Sequence, residues 1–195
     1  MKKYLLLMLI LLCITGCKLF VKENETVTGK VNVAIDVKDY GVIKLELDAD
    51  TAPITVNNFV SLVKSGFYDN LTFHRIMDGF MIQGGDPNHN GTGGSKRTIK
   101  GEFSANGVDN NISHVRGVIS MGRSSNNMDS ASSQFFIVHQ DSTFLDGNYA
   151  AFGHVTEGME VVDKIESDIA PLATDDNGTI PLENQPIIKT IKVIK

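Results

Sequence analysis

Two short runs concentrate side chains that could act on a peptide group: Phe73-His74-Arg75-Ile76 and Gly79-Phe80-Met81-Ile82-Gln83-Gly84-Gly85-Asp86. From Arg75 to Gln83 they supply a cation, an apolar pair and an amide. Guanidinium is a planar donor fork that can hydrogen-bond the groups of a peptide. The apolar pair can take a hydrophobic ring, and nothing in the set is a nucleophile. In extended chain Arg75 shares parity with residues 73 and 77, and Met81 with Gln83. Two adjacent antiparallel strands could therefore aim Arg75, Met81 and Gln83 at one surface. The same residues also read as two core side chains and a surface charge, and spacing alone leaves both readings open.

Other motifs fail on spacing. Asp86-Pro-Asn88-His-Asn90-Gly91 begins like an EF-hand loop, but Arg97 stands at the twelfth position where a bidentate Glu is required. Gly91-Thr-Gly93-Gly94-Ser-Lys96 matches neither the P-loop nor the dinucleotide fingerprint. Gly117-Val-Ile-Ser120-Met-Gly122 is one residue too long for a nucleophile elbow. The histidines at 74, 89, 114, 139 and 154 never fall at zinc-ligand spacing, so no metal and no cofactor is expected.

The elements that must carry the two runs are mostly strands. Residues 31–37 and 42–47 alternate around a turn at Asp39-Tyr40-Gly41. Pro53 opens a helix over about 53–65, with Val56, Phe59, Val60 and Val63 on one stripe. Short strands are predicted at 71–76 and 80–83, around Asp78-Gly79, and again at 117–121, 134–138, 151–155 and 187–194. A second helix fits 158–166. Many short strands with two helices and no internal boundary imply one barrel or sandwich over residues 31–195.

The chain has 195 residues and a net charge of -5, which argues against a nucleic-acid partner. Its two cysteines, four apart, cannot frame a disulfide scaffold. Lys2 and Lys3 precede eleven apolar residues, 4–14, too few for a bilayer span and typical of a signal-peptide core. Ile14-Thr15-Gly16-Cys17 resembles the lipobox of bacterial lipoproteins. That resemblance implies a signal peptide over 1–16, lipidation at Cys17 and a polar tether over 17–30. The domain would then sit at a bacterial cell envelope, held to a membrane by lipid and facing the periplasm or the exterior.

FHRIMDGFMIQGGDP, then GTGG, GVISM, SSQFFIV and FLDGNYAAFGHV, resemble the cyclophilin-type peptidyl-prolyl isomerases in order and spacing from residue 31 to 195. The resemblance implies a mainly β fold, a closed eight-stranded antiparallel barrel capped by two α-helices. It implies Arg75 as the catalytic arginine, with Gln83 binding the substrate backbone. Phe80, Met81, Phe136 and Leu145 would form the proline pocket. Met121, Gly122, Arg123 and Ser124 would line the groove and give backbone contacts to the substrate, and Gln134 would help fix it. His74, Phe144 and Tyr149 would complete the binding site, His74 chiefly as structure beside the arginine. Phe144 stands where eukaryotic members often carry tryptophan, and Tyr149 where they carry histidine. The tryptophan donates a hydrogen bond to cyclosporin, so weakened cyclosporin binding is expected. The implied partners are proline-containing, unfolded or partly folded proteins, met by a monomer. A holdase or adhesin that grips such segments without turnover is the alternative.

Overall fold

The computed structural model describes residues 26–195. The signal segment, Cys17 and most of the tether lie outside the described residues. Eight strands form one antiparallel sheet: β1 (Lys30–Val37), β2 (Gly41–Asp48), β3 (Phe73–Met77), β4 (Met81–Gly84), β5 (Val118–Met121), β6 (Phe135–Val138), β7 (Ala151–Glu157) and β8 (Ile188–Ile194). Their spatial order is β3-β4-β6-β5-β7-β2-β1-β8. The sheet curls until its edge strands meet. Thr72 bridges Ile187, and the N–H groups of Asn70, Phe73 and Ile188 donate to the carbonyls of Ile188, Pro186 and Leu71. The expected barrel is thus a strongly curled sheet joined by a short seam and not by a continuous ladder.

Helix α1 (Pro53–Lys64) packs on β2 and β8, and α2 (Met159–Ile169) lies along β2, β3 and β4. The predicted stripe of α1 is the buried one, with Thr55 added. Each large apolar side chain on it contributes roughly 1.5–3 kcal/mol relative to exposure. Inside the curl, Phe59 meets Tyr68, Phe135 and Phe152 with ring centroids 5.1, 5.6 and 5.3 Å apart. A second apolar cluster, with Met81, Phe136, Val138 and Leu145, lies apart from this core. Alternation along Phe135-Phe136-Ile137-Val138 divides β6 between the two. The described end of the segment read as a tether is fastened to the domain. Val27 donates to Asn57 Oδ1 (2.7 Å), Asn57 Nδ2 returns a bond to the Val27 carbonyl (3.0 Å), and Lys30 already belongs to β1.

Helix α1 has no side-chain cap of its own, since Ala52 occupies the N-cap. Glu102, 48 residues beyond Ile54, supplies it. Its carboxylate accepts from the N–H of Ile54 (3.0 Å), the N–H of Thr55 (2.7 Å) and the Thr55 hydroxyl (2.7 Å). Glu102→Ala leaves those donors without an acceptor and is expected to lower the unfolding free energy by about 2–3 kcal/mol in denaturant titration. Glu102→Gln, which keeps one accepting atom, should cost less.

Candidate active site

The register sets one row of side chains across four strands. Arg75 on β3 faces Gln83 on β4, Gln83 faces Phe136 on β6, and Phe136 faces Ser120 on β5. A neighbouring row runs Met77, Met81, Val138. A β-bulge decides which face of the sheet these rows occupy. Phe73 pairs with Gly84 and Arg75 with Gln83, so two steps on β3 match one step on β4 and His74 is the extra residue. In an unbroken strand Arg75 would point the same way as Phe73, which lies in the core against Phe135. The bulge turns Arg75 to the outer face beside Gln83.

The polar groups of the row are linked in one direction. Arg75 Nη1 donates to Gln83 Oε1 (3.0 Å), and Gln83 Nε2 donates to Gln134 Oε1 (2.8 Å). Gln134 Nε2 donates to the carbonyls of Gly93 (2.7 Å) and Gly91 (3.0 Å). Arg75 Nε is held by the Asn177 carbonyl at 2.7 Å, while Nη2 meets only the Met77 sulfur, a weak acceptor. Burial pushes the guanidinium pKa down, with Tyr149 and Asp175 opposing. It stays charged regardless, because arginine starts so high.

A groove of about 440 Å³ opens over the row. His74, Arg75, Phe80, Met81, Gln83, Gly122, Arg123, Phe136, Phe144, Leu145 and Tyr149, all expected there, line it, together with Asn90, Gly91 and Thr179. Ser124 and Gln134 line an adjoining polar pocket that shares Gln83, Gly122 and Arg123 with the groove. Met121 lines neither. Strand alternation sends its side chain into the barrel core, so it can present only backbone to a ligand. Phe144 is largely exposed, its ring 5.5 Å from that of Phe80. An apolar cleft with a guanidinium and an amide at its wall suits a ring beside a neutral peptide group.

The family model for "Cyclophilin type peptidyl-prolyl cis-trans isomerase/CLD" matches residues 32–193. Peptidyl-prolyl cis-trans isomerase A of Dickeya dadantii is 42% identical over 164 residues, 80% of each chain. Peptidyl-prolyl cis-trans isomerase B of Bacillus subtilis is 44% identical over 124 residues, 64% of this chain and 82% of that protein. A Cryptosporidium parvum cyclophilin type isomerase, crystallised in the presence of the dipeptide Ala-Pro, superposes with a TM-score of 0.73 at 32% identity. That match covers 84% of this chain and 99% of the other. The chain belongs to the cyclophilin-type peptidyl-prolyl cis-trans isomerases.

Several parts of this cyclophilin's site carry no sequence signal. The polar stretch 168–186 supplies a buttress for Arg75: Thr179 bridges Arg75, Ile180 N–H donates to the His74 carbonyl (3.0 Å), and Ile76 N–H donates to Gly178 (2.8 Å). Asp175 folds this turn, accepting from Asn177 N–H and Thr179 N–H, both at 3.0 Å. Gly178 has φ +77°, and a Cβ there would collide with the Ile76 carbonyl. The EF-hand-like run serves a different purpose. Asp86 accepts from Asn88 N–H (2.7 Å), Asn90 N–H (3.1 Å) and Gly91 N–H (2.5 Å), shaping the loop that Gln134 grips. Burial pushes the Asp86 carboxyl up, but its backbone donors outweigh this and hold it below the usual range.

Beneath Phe136, the His114 ring stacks at 6.1 Å, with Nε2 3.0 Å from Ser120 Oγ and Nδ1 2.9 Å from Asp146 Oδ1. The connectivity is that of nucleophile, base and orienter. Ser120 and His114 are buried, however, so no substrate can reach them and the trio serves as support for the groove floor.

His74 is buried and neither ring nitrogen finds a protein partner. Burial pushes its pKa down to about 4, helped by Arg75 and His89 and opposed by Asp86. Its ring is therefore neutral at neutral pH. Below about pH 6.5 the unfolded chain takes up a proton that the folded chain refuses. Stability should fall as pH drops from about 6.5 towards 4, by up to ~3 kcal/mol from this group, and this contribution levels off below that. His74→Phe, which keeps a ring and removes the titration, is expected to flatten that part of a stability–pH profile measured by urea unfolding.

Proposed function

We propose that this isomerase twists X–Pro bonds by charge placement alone, with Arg75 as its catalytic residue. The observation that carries this is the row Arg75–Gln83–Phe136 at the wall of an apolar groove. An X–Pro bond isomerises in tens to hundreds of seconds unaided. Turnover in milliseconds needs about 10⁴–10⁵-fold, or roughly 5–7 kcal/mol. Phe136, Met81, Leu145 and Phe80 hold the proline ring out of water, and desolvation weakens the charge separation that keeps the amide planar. Gln83 binds the backbone beside it. As the bond twists, the imide nitrogen becomes pyramidal and its lone pair becomes an acceptor. Arg75 then donates to that nitrogen. This bond forms at the twisted geometry and at neither planar one, where the lone pair is delocalised, which is the differential binding catalysis requires. Nη2 exchanges only a thioether contact to do so.

The clients we propose are exported or envelope proteins, reached from a membrane surface to which lipid on Cys17 ties the domain. Support comes from the lipobox-like Ile14-Thr15-Gly16-Cys17 behind a short apolar core. Cyclosporin binding is proposed to be weak, because the Phe144 ring has no N–H to donate.

Arg75→Ala is expected to lower kcat/KM for a proline peptide by about 100-fold or more, with an unchanged circular dichroism spectrum. Near-normal turnover in that variant would overturn the mechanism. Cys17→Ala should move the protein from the membrane to the soluble fraction after lysis. If it stays with the membrane, the anchor lies elsewhere.

A further inference from the structure

Arg123 is the second cation of the groove and the charged residue that the groove and the adjoining pocket have in common. Its position is built from several sides. The guanidinium carbon lies 4.7 Å from the Tyr149 ring centre and 5.3 Å from that of Phe103. Nε donates to the Asn148 carbonyl (2.9 Å) and Nη1 to the Ser124 carbonyl (2.9 Å). Every one of these partners is neutral, and no carboxylate pairs with Arg123 among the described residues. Acids of the surrounding loops hydrogen-bond elsewhere: Asp129 to Gly101 and Asn106, Asp146 to Ser113 and His114, Asp175 to Asn177 and Thr179.

The outcome is a charge inversion. The chain as a whole carries -5, yet the groove and the pocket beside it are lined by Arg75 and Arg123 and by no Asp or Glu. Arg75 is taken up by the reacting amide. Arg123 is left facing whatever part of the peptide passes from the proline groove into the adjoining pocket. That pocket is walled by Gly, Ser, Thr and Gln, small or neutral groups that can admit a polar side chain and can neutralise none.

We propose that Arg123 is a specificity-determining residue that favours proline segments bearing a carboxylate side chain, Asp or Glu, within two residues of the proline on one flank. Two aromatic rings and the carbonyls of Asn148, Ser124 and Ser125 hold its guanidinium still, so little side-chain entropy is lost when the carboxylate arrives. Opposite charge also speeds encounter, whereas a lysine at the same place is repelled.

This inference rests on the isomerase reading, and the experiment separates the two. Peptides identical except for Glu, Gln or Lys at each of the two positions before and after the proline are assayed for kcat/KM. The enzyme is the wild type, Arg123→Gln or Arg123→Lys. Turnover of the neutral peptides by the wild type tests the isomerase reading. The Glu-to-Lys ratio tests the proposal, and it is insensitive to any general loss from disturbing Tyr149. At one flank the wild type should prefer Glu over Lys by about three- to tenfold at low salt, shrinking as salt screens the pair. The ratio should collapse towards one in Arg123→Gln and survive in Arg123→Lys, which keeps the charge and loses the fork. A wild-type ratio within twofold of one at every position would overturn the proposal. So would a ratio that persists in Arg123→Gln.

Discussion

The bulge at His74 decides which side of the sheet the arginine occupies. A strand has a period of two, so one inserted residue exchanges its faces from that point onward. Phe73 keeps its place in the aromatic core, while Arg75 and Met77 join the outer rows with Gln83, Phe136 and Met81. The inserted residue bears the cost. Its imidazole is buried without a protein hydrogen bond, which a structure tolerates only where the local geometry has another use. The turn 175–180 holds the bulge in place, accepting and donating along the outer edge of β3. An edge strand left open would be free to straighten or to pair elsewhere.

A second consequence of the register is direction. Because Arg75 has only donors, the amide beside it must present oxygen, and Gln83 therefore has only its nitrogen left for Gln134. Gln134 must then turn its own oxygen towards Gln83 and its nitrogen towards the carbonyls of Gly91 and Gly93. One cation orders two amides and a loop. Asp86 shapes the far end of that chain by accepting backbone N–H groups from the same loop. Arginine and loop are thus linked through side chains that stay neutral.

Much of this was legible in the order of residues, and the remainder was hidden for identifiable reasons. Alternation located β1 and β2, and the stripe Val56, Phe59, Val60, Val63 located the buried face of α1, because burial on one side leaves a periodic trace. The parity that grouped Arg75 with Phe73 was misleading, since a bulge leaves the composition of a strand unchanged. Strand β5 is buried on both faces, so alternation there separates the core side chain of Met121 from the groove floor without any polar marker. Glu102 and the turn 175–179 act on residues far away in sequence, and no local pattern reports a cap or a buttress of that kind. The run Asp86–Gly91 looked like a cation loop because cages for calcium and cages for backbone N–H groups use the same short acidic and amide side chains.

The electrostatic character of the groove matches the reaction more closely than any single residue does. Rotation about an amide needs no proton delivered or removed, only a field aimed at the twisted state. The groove is lined by one imidazole, that of His74, and burial keeps it neutral until the pH nears about 4. Its cations are guanidinium groups, which remain charged at any pH the fold survives. In the assembly that could have served as an acid–base system, Ser120 and His114 are buried under Phe136 and only Asp146, at its far end, reaches solvent. The only imidazole at the groove is held neutral, and the charges that line it are fixed guanidinium groups. A field of fixed charge beside an apolar wall is what twisting a bond calls for.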